Sequence, residues 1–199
     1  MDNRSLFEAP AERPSTERLL FEPNIAINGP IDDSTVHFFL DCLQKVRTDG
    51  EDLVMELGTN GGDADAAHRI AAELRIFQRH FGHPAYCVGK GKLYGAGVII
   101  FAAFPRQHRF LTEDAVLFVH ERELEKSIEL KGPIKSSIQI LRQELALLET
   151  AEQLEIAGFD ELVAGSSLTA DQMYQRALAN SYIHADEAFT QGLVAEILR

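Results

Sequence analysis

The sequence has no tryptophan, only two cysteines and a shortage of positive charge: 19 Lys+Arg stand against 31 Asp+Glu over 199 residues, a formal net charge of −12. Each shortage excludes something. A sequence-independent nucleic-acid binder needs a basic face to displace the counterions around phosphates, and no surplus of cations is present to build one. The same imbalance opposes docking on an anionic membrane surface. Cys42 and Cys87 both lie in apolar surroundings and read as reduced core residues, neither a disulfide framework nor a metal site. No stretch reaches the roughly 18 consecutive apolar residues of a membrane span. The most apolar run, 95–104, is short and ends at Pro105-Arg106. Residues 1–22 are polar, carry Pro10 and Pro14, and lack the apolar centre of a secretion signal. They are expected to form a flexible N-terminal arm ahead of a single domain over 23–199, in a cytoplasmic protein.

What remains is a chain of ordinary globular composition, 45% hydrophobic and 25% charged, long enough to bury roughly 70% of its unfolded surface in one core. From Asn24 onward, short strands alternate with helices. Asn24–Asn28 ends at Gly29-Pro30, and Asp32 to Thr35 offer acceptors for a helix start. Val36, Phe39, Leu40, Leu43 and Val46 then recur at helical spacing. Leu53–Leu57 is a strand, Gly58-Thr-Asn-Gly-Gly62 a turn, and Asp63 to about Phe81 a helix. Ala85–Val88 is a third strand, followed by a Gly-rich connector, 89–95, into an apolar helix, 96–104. Arg109–Leu111 and Ala115–Val119 are strands, and Arg122–Lys131 is an edge strand or a loop. Such alternation predicts a mainly parallel sheet covered by helices.

Gly132-Pro133 opens the longest helix, predicted from Ile134 to about Ile156, with Gly158 and Gly165 as punctuation beyond it. Ile134, Ile138, Leu141, Leu145 and Leu148 make one near-heptad stripe along it, and such a stripe wants a partner surface. Thr169 and Gln172 have the spacing of a capping box. Ser181–Ile183 reads as a strand, Asp186–Gln191 as a helix, and Gly192 to Leu198 closes the chain.

Two turns carry the candidate chemistry. Gly61-Gly62 lies between a strand and a helix, where bare N–H groups can approach a ligand, and 91–97 opens a second helix in the same way. Together they could supply one N–H each to a single carbonyl oxygen. Other candidates are blander. His80 and His83 lack a third ligand for a metal, and His37, His68 and His108 have no nameable partner. Asp63 and Asp65 suit a helix start. Thr59 and Ser181 are the hydroxyls nearest these segments.

The segments Asn28-Gly-Pro-Ile-Asp32, Leu57–Gly62, Gly91–Ala103, Arg109-Phe110, Ala115–His120, Ile183–Ala188 and Gly192-Leu-Val194 together resemble the ClpP family, the proteolytic subunits of the Clp ATP-dependent protease. The likeness covers about Leu19 to the end, without a gap from Gly95 to His120, and with about four extra residues, one added helical turn, between Gly62 and Gly95. It implies an α/β spiral of β-β-α units of the ClpP/crotonase type, with the long helix projecting as a handle. It implies a Ser-His-Asp triad and an oxyanion hole of two backbone N–H groups. The hole maps onto Gly62 and Ala96, and the histidine onto His120. The serine position, however, is Gly95 and the aspartate position is Asn180. Glycine has no atom that can attack a carbonyl, and no Ser, Thr or Cys lies between Cys87 and Thr112 to replace it.

The reading is therefore a catalytically inactive, ClpP-like subunit without cofactor or metal. It would be structural or regulatory in a homo-oligomeric ring or a mixed ring with an active paralogue, working against an ATP-driven unfoldase. The stretch 121–131 lacks the Gly-rich strand by which the family contacts an opposite ring. Two alternatives stay open. One is an active serine-type peptidase whose nucleophile is Thr59 or Ser181. The other is a crotonase-like enzyme of acyl thioesters, with Gly62 and Ala96 as the hole and Glu121 as the carboxylate.

Overall fold

A computed structural model describes residues 13–124 and 126–199 of the chain. Of the arm expected over 1–22, residues 1–12 lie outside the described residues, and the rest includes a short packed helix. Ser15 caps α1 (Thr16–Phe21), its hydroxyl accepting the Arg18 N–H at 3.2 Å. Leu19 is fully buried with Val54, Tyr86, Val88, Phe110 and Leu198. A single leucine in a polar segment gives no period to read, yet it is enough to seat the helix on the sheet. Lys90 adds a polar tie, donating to the Leu20 carbonyl and to Glu56, both at 2.6 Å.

Five strands run parallel in the order β1 (Ile25–Asn28), β2 (Leu53–Thr59), β3 (Ala85–Tyr94), β4 (Arg109–Thr112) and β7 (Glu196–Leu198). β5 (Val116–Val119) pairs parallel with the second half of β3 and antiparallel with β6 (Ser181–His184). Helices α2 (Asp33–Asp49), α3 (Ala64–His80) and α4 (Ala96–Ala102) connect the first strands. Of the face expected from spacing on α2, Phe39, Leu43 and Val46 are buried, and α3 buries Ile70, Leu74 and Phe77 among others.

β3 departs from expectation. The glycine-rich stretch 89–95 is no connector, since the strand continues through it to Tyr94. Against β2 the register moves from Leu57↔Gly89 to Thr59↔Leu93, so two residues on β2 span four on β3. Gly91, at φ +62°, sits in this bulge. The first half of β3 pairs with β4 and the second half with β5. This change of partner along one strand winds the sheet into a spiral and aims the end of β3 at the start of α4.

The long helix α5 spans Ile134–Val163, passing through Gly158 rather than stopping before it. An interior glycine costs a helix only about 1 kcal/mol, which packing of the last turns offsets; Phe159, Leu162 and Val163 are buried. Its 30 residues make a rod of about 45 Å. The stripe from Ile134 to Leu148 is 44% to 79% exposed and faces away from the chain's own core. The preceding stretch, 120–131, has no regular secondary structure among its described residues. The C-terminal part adds α6 (Ala170–Leu178), which starts with the expected Thr169/Gln172 capping box, and α7 (Ala185–Thr190).

Arg109, at the start of β4, is 2% exposed. Its Nε donates to the Phe104 carbonyl (2.6 Å), and its Nη1 to those of Leu162 (2.6 Å) and Leu193 (3.4 Å). Its Nη2 donates to the carbonyls of Ala102 (2.8 Å) and Glu161 (2.9 Å). One guanidinium thus satisfies carbonyls left over at the C-terminal ends of α4 and α5. Burial pushes its pKa down to about 10, so it stays charged at neutral pH. Arg109→Met would leave these carbonyls without donors. It is expected to destabilise the fold by about 3 kcal/mol or more, read as a lower urea midpoint.

Candidate functional site

The Gly-Gly turn is fixed by a close approach of two backbones. Ile31 donates its N–H to Gly61 O at 3.0 Å, and Asp63 donates to Ile31 O at 2.7 Å. At Gly62 (φ +146°) any Cβ would overlap the Ile31 carbonyl oxygen, so the position demands glycine. Thr59 closes the turn, its hydroxyl accepting the Gly61 N–H at 3.0 Å. Asp63 caps α3, its carboxylate accepting from Asp65 N (2.7 Å) and Ala66 N (3.0 Å).

Gly95 forms a sharp elbow between β3 and α4, at φ +48° and ψ −104°. Its N–H donates to Phe118 O at 3.1 Å, which anchors the elbow to β5. A Cβ at Gly95 would lie 2.6 Å from Nε2 of His120. The imidazole therefore fronts the position expected to hold a nucleophile. His120 follows the last residue of β5, with its ring stacked on Phe118 (centroids 4.9 Å apart), which in turn stacks on Tyr182 (4.3 Å). Nδ1 is 2.7 Å from the Glu121 carbonyl oxygen. A carbonyl can only accept, so Nδ1 carries a proton, and in the neutral ring Nε2 is the acceptor turned toward Gly95.

Asn180 holds the place that the resemblance gives to the triad's aspartate. The antiparallel register sets Val119 against Ser181, and one step further it sets His120 against Asn180, a residue held at φ +51°. Among the described residues no hydrogen bond joins Asn180 to the ring, and the Glu121 carbonyl does the orienting. The N–H groups of Gly62 and Ala96 donate to no acceptor among the described residues, and both residues line one cleft of about 600 Å³ together with Gly95 and His120.

The other hydroxyls and carboxylate read from the sequence do not converge here. Thr59 is buried and engaged in its turn. Ser181 pairs with Val119 and shares that residue's face of the strand, opposite to His120's. Glu121 accepts from the Tyr174 hydroxyl at 3.3 Å and is not a cleft residue.

The far wall consists of groups that no motif announces. Arg122 donates from Nη2 to Asp65 (3.0 Å) and from its backbone N–H to Glu155 of α5 (2.6 Å). Burial holds the Glu155 carboxyl above the usual range; the Arg122 N–H partly offsets this, and Glu121 reinforces it. His68 on α3 is held below its ordinary value by burial first, then by Arg75 and Arg122. These residues come from three distant segments, and only the fold assembles them.

A parallel sheet wound into a spiral, with a Gly-Gly turn and a strand-to-helix elbow on one cleft, places the chain among the α/β spiral proteins of the ClpP type. The family described as Clp protease matches residues 11–199, and the chain belongs to that family. Among solved structures, a ClpP1 point mutant from Listeria monocytogenes is similar in fold. It is 16% identical with a TM-score of 0.69, over 88% of this chain and 90% of that one. A search of curated proteins finds no match.

His68 also gives the cleft a pH signature. Below the ordinary value of 6.5 and above the lowered one, the unfolded chain binds a proton that the folded chain refuses. Stability therefore falls as pH drops through that window. His68→Gln is expected to flatten this part of the decline in Tm between about pH 7 and pH 5, followed by thermal melts.

Proposed function

We propose that this Clp-family chain is a non-catalytic subunit with a structural or regulatory role in a cytoplasmic Clp-type assembly. The assembly is a homo-oligomeric ring or a mixed ring with an active paralogue, set against an ATP-driven unfoldase. The observation that carries the reading is Gly95: where a nucleophile would face the base, only a backbone Cα stands before His120 Nε2. Covalent acyl transfer needs an oxygen or sulfur at that point. Backbone donors alone leave only a small residue of catalysis.

The native protein is expected to give no labelling with a fluorophosphonate probe and no cleavage of fluorogenic peptides. Labelling of a defined Ser or Thr that is lost in His120→Ala would overturn the reading. Gly95→Ser alone should restore little, because an Asp→Asn change in a serine triad costs about 10⁴ in turnover. Gly95→Ser with Asn180→Asp is expected to show detectable peptidase activity above the parent.

The exposed stripe of α5 supports assembly, since so long an apolar row on an open surface marks an interaction face. Light scattering is expected to show a particle several times the 22.1 kDa chain. Leu141→Glu with Leu145→Glu is expected to reduce its mass. A monomer at micromolar concentration would overturn the assembly.

A further inference from the structure

We propose that a second cavity, at the opposite end of α4 from Gly95, binds a phosphate monoester between arginines of α3 and of the turn before β4. The proposal goes beyond the reading above and stands whether or not the chain cleaves peptides.

The cavity holds about 430 Å³ and is lined by Arg75, Gln78 and Arg79 of α3, by Arg106 and Arg109 around the start of β4, and by Glu161 of α5. Four cations and one carboxylate meet there, in a chain whose formal net charge is −12. At physiological salt, charges beyond about 8 Å are largely screened. A ligand inside the cavity therefore responds chiefly to these arginines and little to the distant acidic surface.

Donors and acceptors decide the class of ligand. The acceptors are already used. The Glu161 carboxylate holds Arg75 through two bonds, from Nε at 2.6 Å and from Nη2 at 2.5 Å. The carbonyls of Ala102 and Phe104 accept from Arg109, and that of Ala103 accepts from Gln78 Nε2 at 3.0 Å. Those of Pro105 and Arg106 accept the backbone N–H groups of His108 and Arg109. Donors are left over. Arg75 keeps Nη1, and neither Arg79 nor Arg106 meets a carboxylate among the described residues. Arg106 makes one long bond, 3.4 Å, to the Gly192 carbonyl. Its side chain also lies against two glycines: a Cβ at Gly165 would come within 3.6 Å of Nε, and one at Gly192 within 3.3 Å of Nη1. That contact places the guanidinium before any ligand arrives. Spare guanidinium donors beside satisfied carbonyls are complementary to a ligand that is anionic and made of acceptors. A phosphate monoester brings three terminal oxygens and a charge near −2, and guanidinium forks match it with paired N–H groups. A single carboxylate brings one charge and two oxygens, and so uses less of the site.

The test is calorimetry on the full chain at low salt and slightly alkaline pH, where a monoester is a dianion. Methyl phosphate is expected to bind at least about tenfold tighter than dimethyl phosphate or acetate. Arg79→Gln and Arg106→Gln are each expected to weaken methyl phosphate by about fivefold or more, a charge-assisted hydrogen bond discounted for exposure. Arg142→Gln makes the same charge change on the exposed part of α5 and is expected to leave the affinity within about twofold. Thermal melts check the variants; should Arg106→Gln fail to fold, the exposed Arg79 decides alone. A second ligand, acetyl-Ala-phosphoserine-Ala-amide, identifies the source. Binding about tenfold tighter than methyl phosphate supports a site for a phosphorylated protein side chain, and equal or weaker binding supports one for a free small phosphate. Equal binding of monoester and diester, acetate binding as tightly as methyl phosphate, equal losses in Arg142→Gln and Arg79→Gln, or no binding of methyl phosphate at millimolar concentration would each overturn the pocket.

Discussion

Arg109 carries a charge into the interior with no carboxylate touching it among the described residues, and the carbonyl oxygens that surround it come from the ends of two helices and from the chain just before β7. That arrangement constrains much else. A buried cation without good partners is costly, so α4 and α5 must end where the guanidinium can reach them. α4 is short, and its other end is the Gly95 elbow. α5 reaches back from the same anchor to line the cleft with Leu154 and Glu155. The distance between elbow and wall is therefore fixed from behind the site, by a residue that never touches it.

The front of the site is built mainly of backbone. Gly62 is held against Ile31, Gly95 is held to Phe118, and the His120 ring is held by stacking and by the carbonyl of its own neighbour. None of these contacts uses a side chain at position 95 or 180. This explains how the cleft keeps its form with glycine and asparagine at positions where a catalytic serine and aspartate are expected from the family. The chemistry of acyl transfer can be lost from such a scaffold without loss of its geometry.

Elements with strong local signals were legible in the sequence. The periodic face of α2, the Thr169/Gln172 cap and the start of α5 after Gly132-Pro133 all follow from spacing and turn chemistry. Gly95 and His120, read as partners through the resemblance, are neighbours in the fold. The failures share a cause. Glycines at 89 and 91 look like a connector because a strand with glycines is weak alone; pairing with three other strands supports it. Gly158 looks like a helix stop, but its neighbours Phe159 and Leu162 pack against the core and carry the helix through. Leu19 offers no pattern at all until the sheet beneath it exists. Likewise Asp65, His68, Arg122 and Glu155 meet only through tertiary folding, and the ring-orienting Glu121 carbonyl is backbone, which no residue type can advertise.

α5 is one unbroken rod with two different surroundings. Its C-terminal third is clamped at Arg109 and walls the cleft, while its N-terminal half, tied to the preceding stretch by the Lys126–Glu144 ion pair, carries an exposed apolar row. One continuous helix thus carries both the exposed apolar row and the wall of the cleft at Leu154 and Glu155.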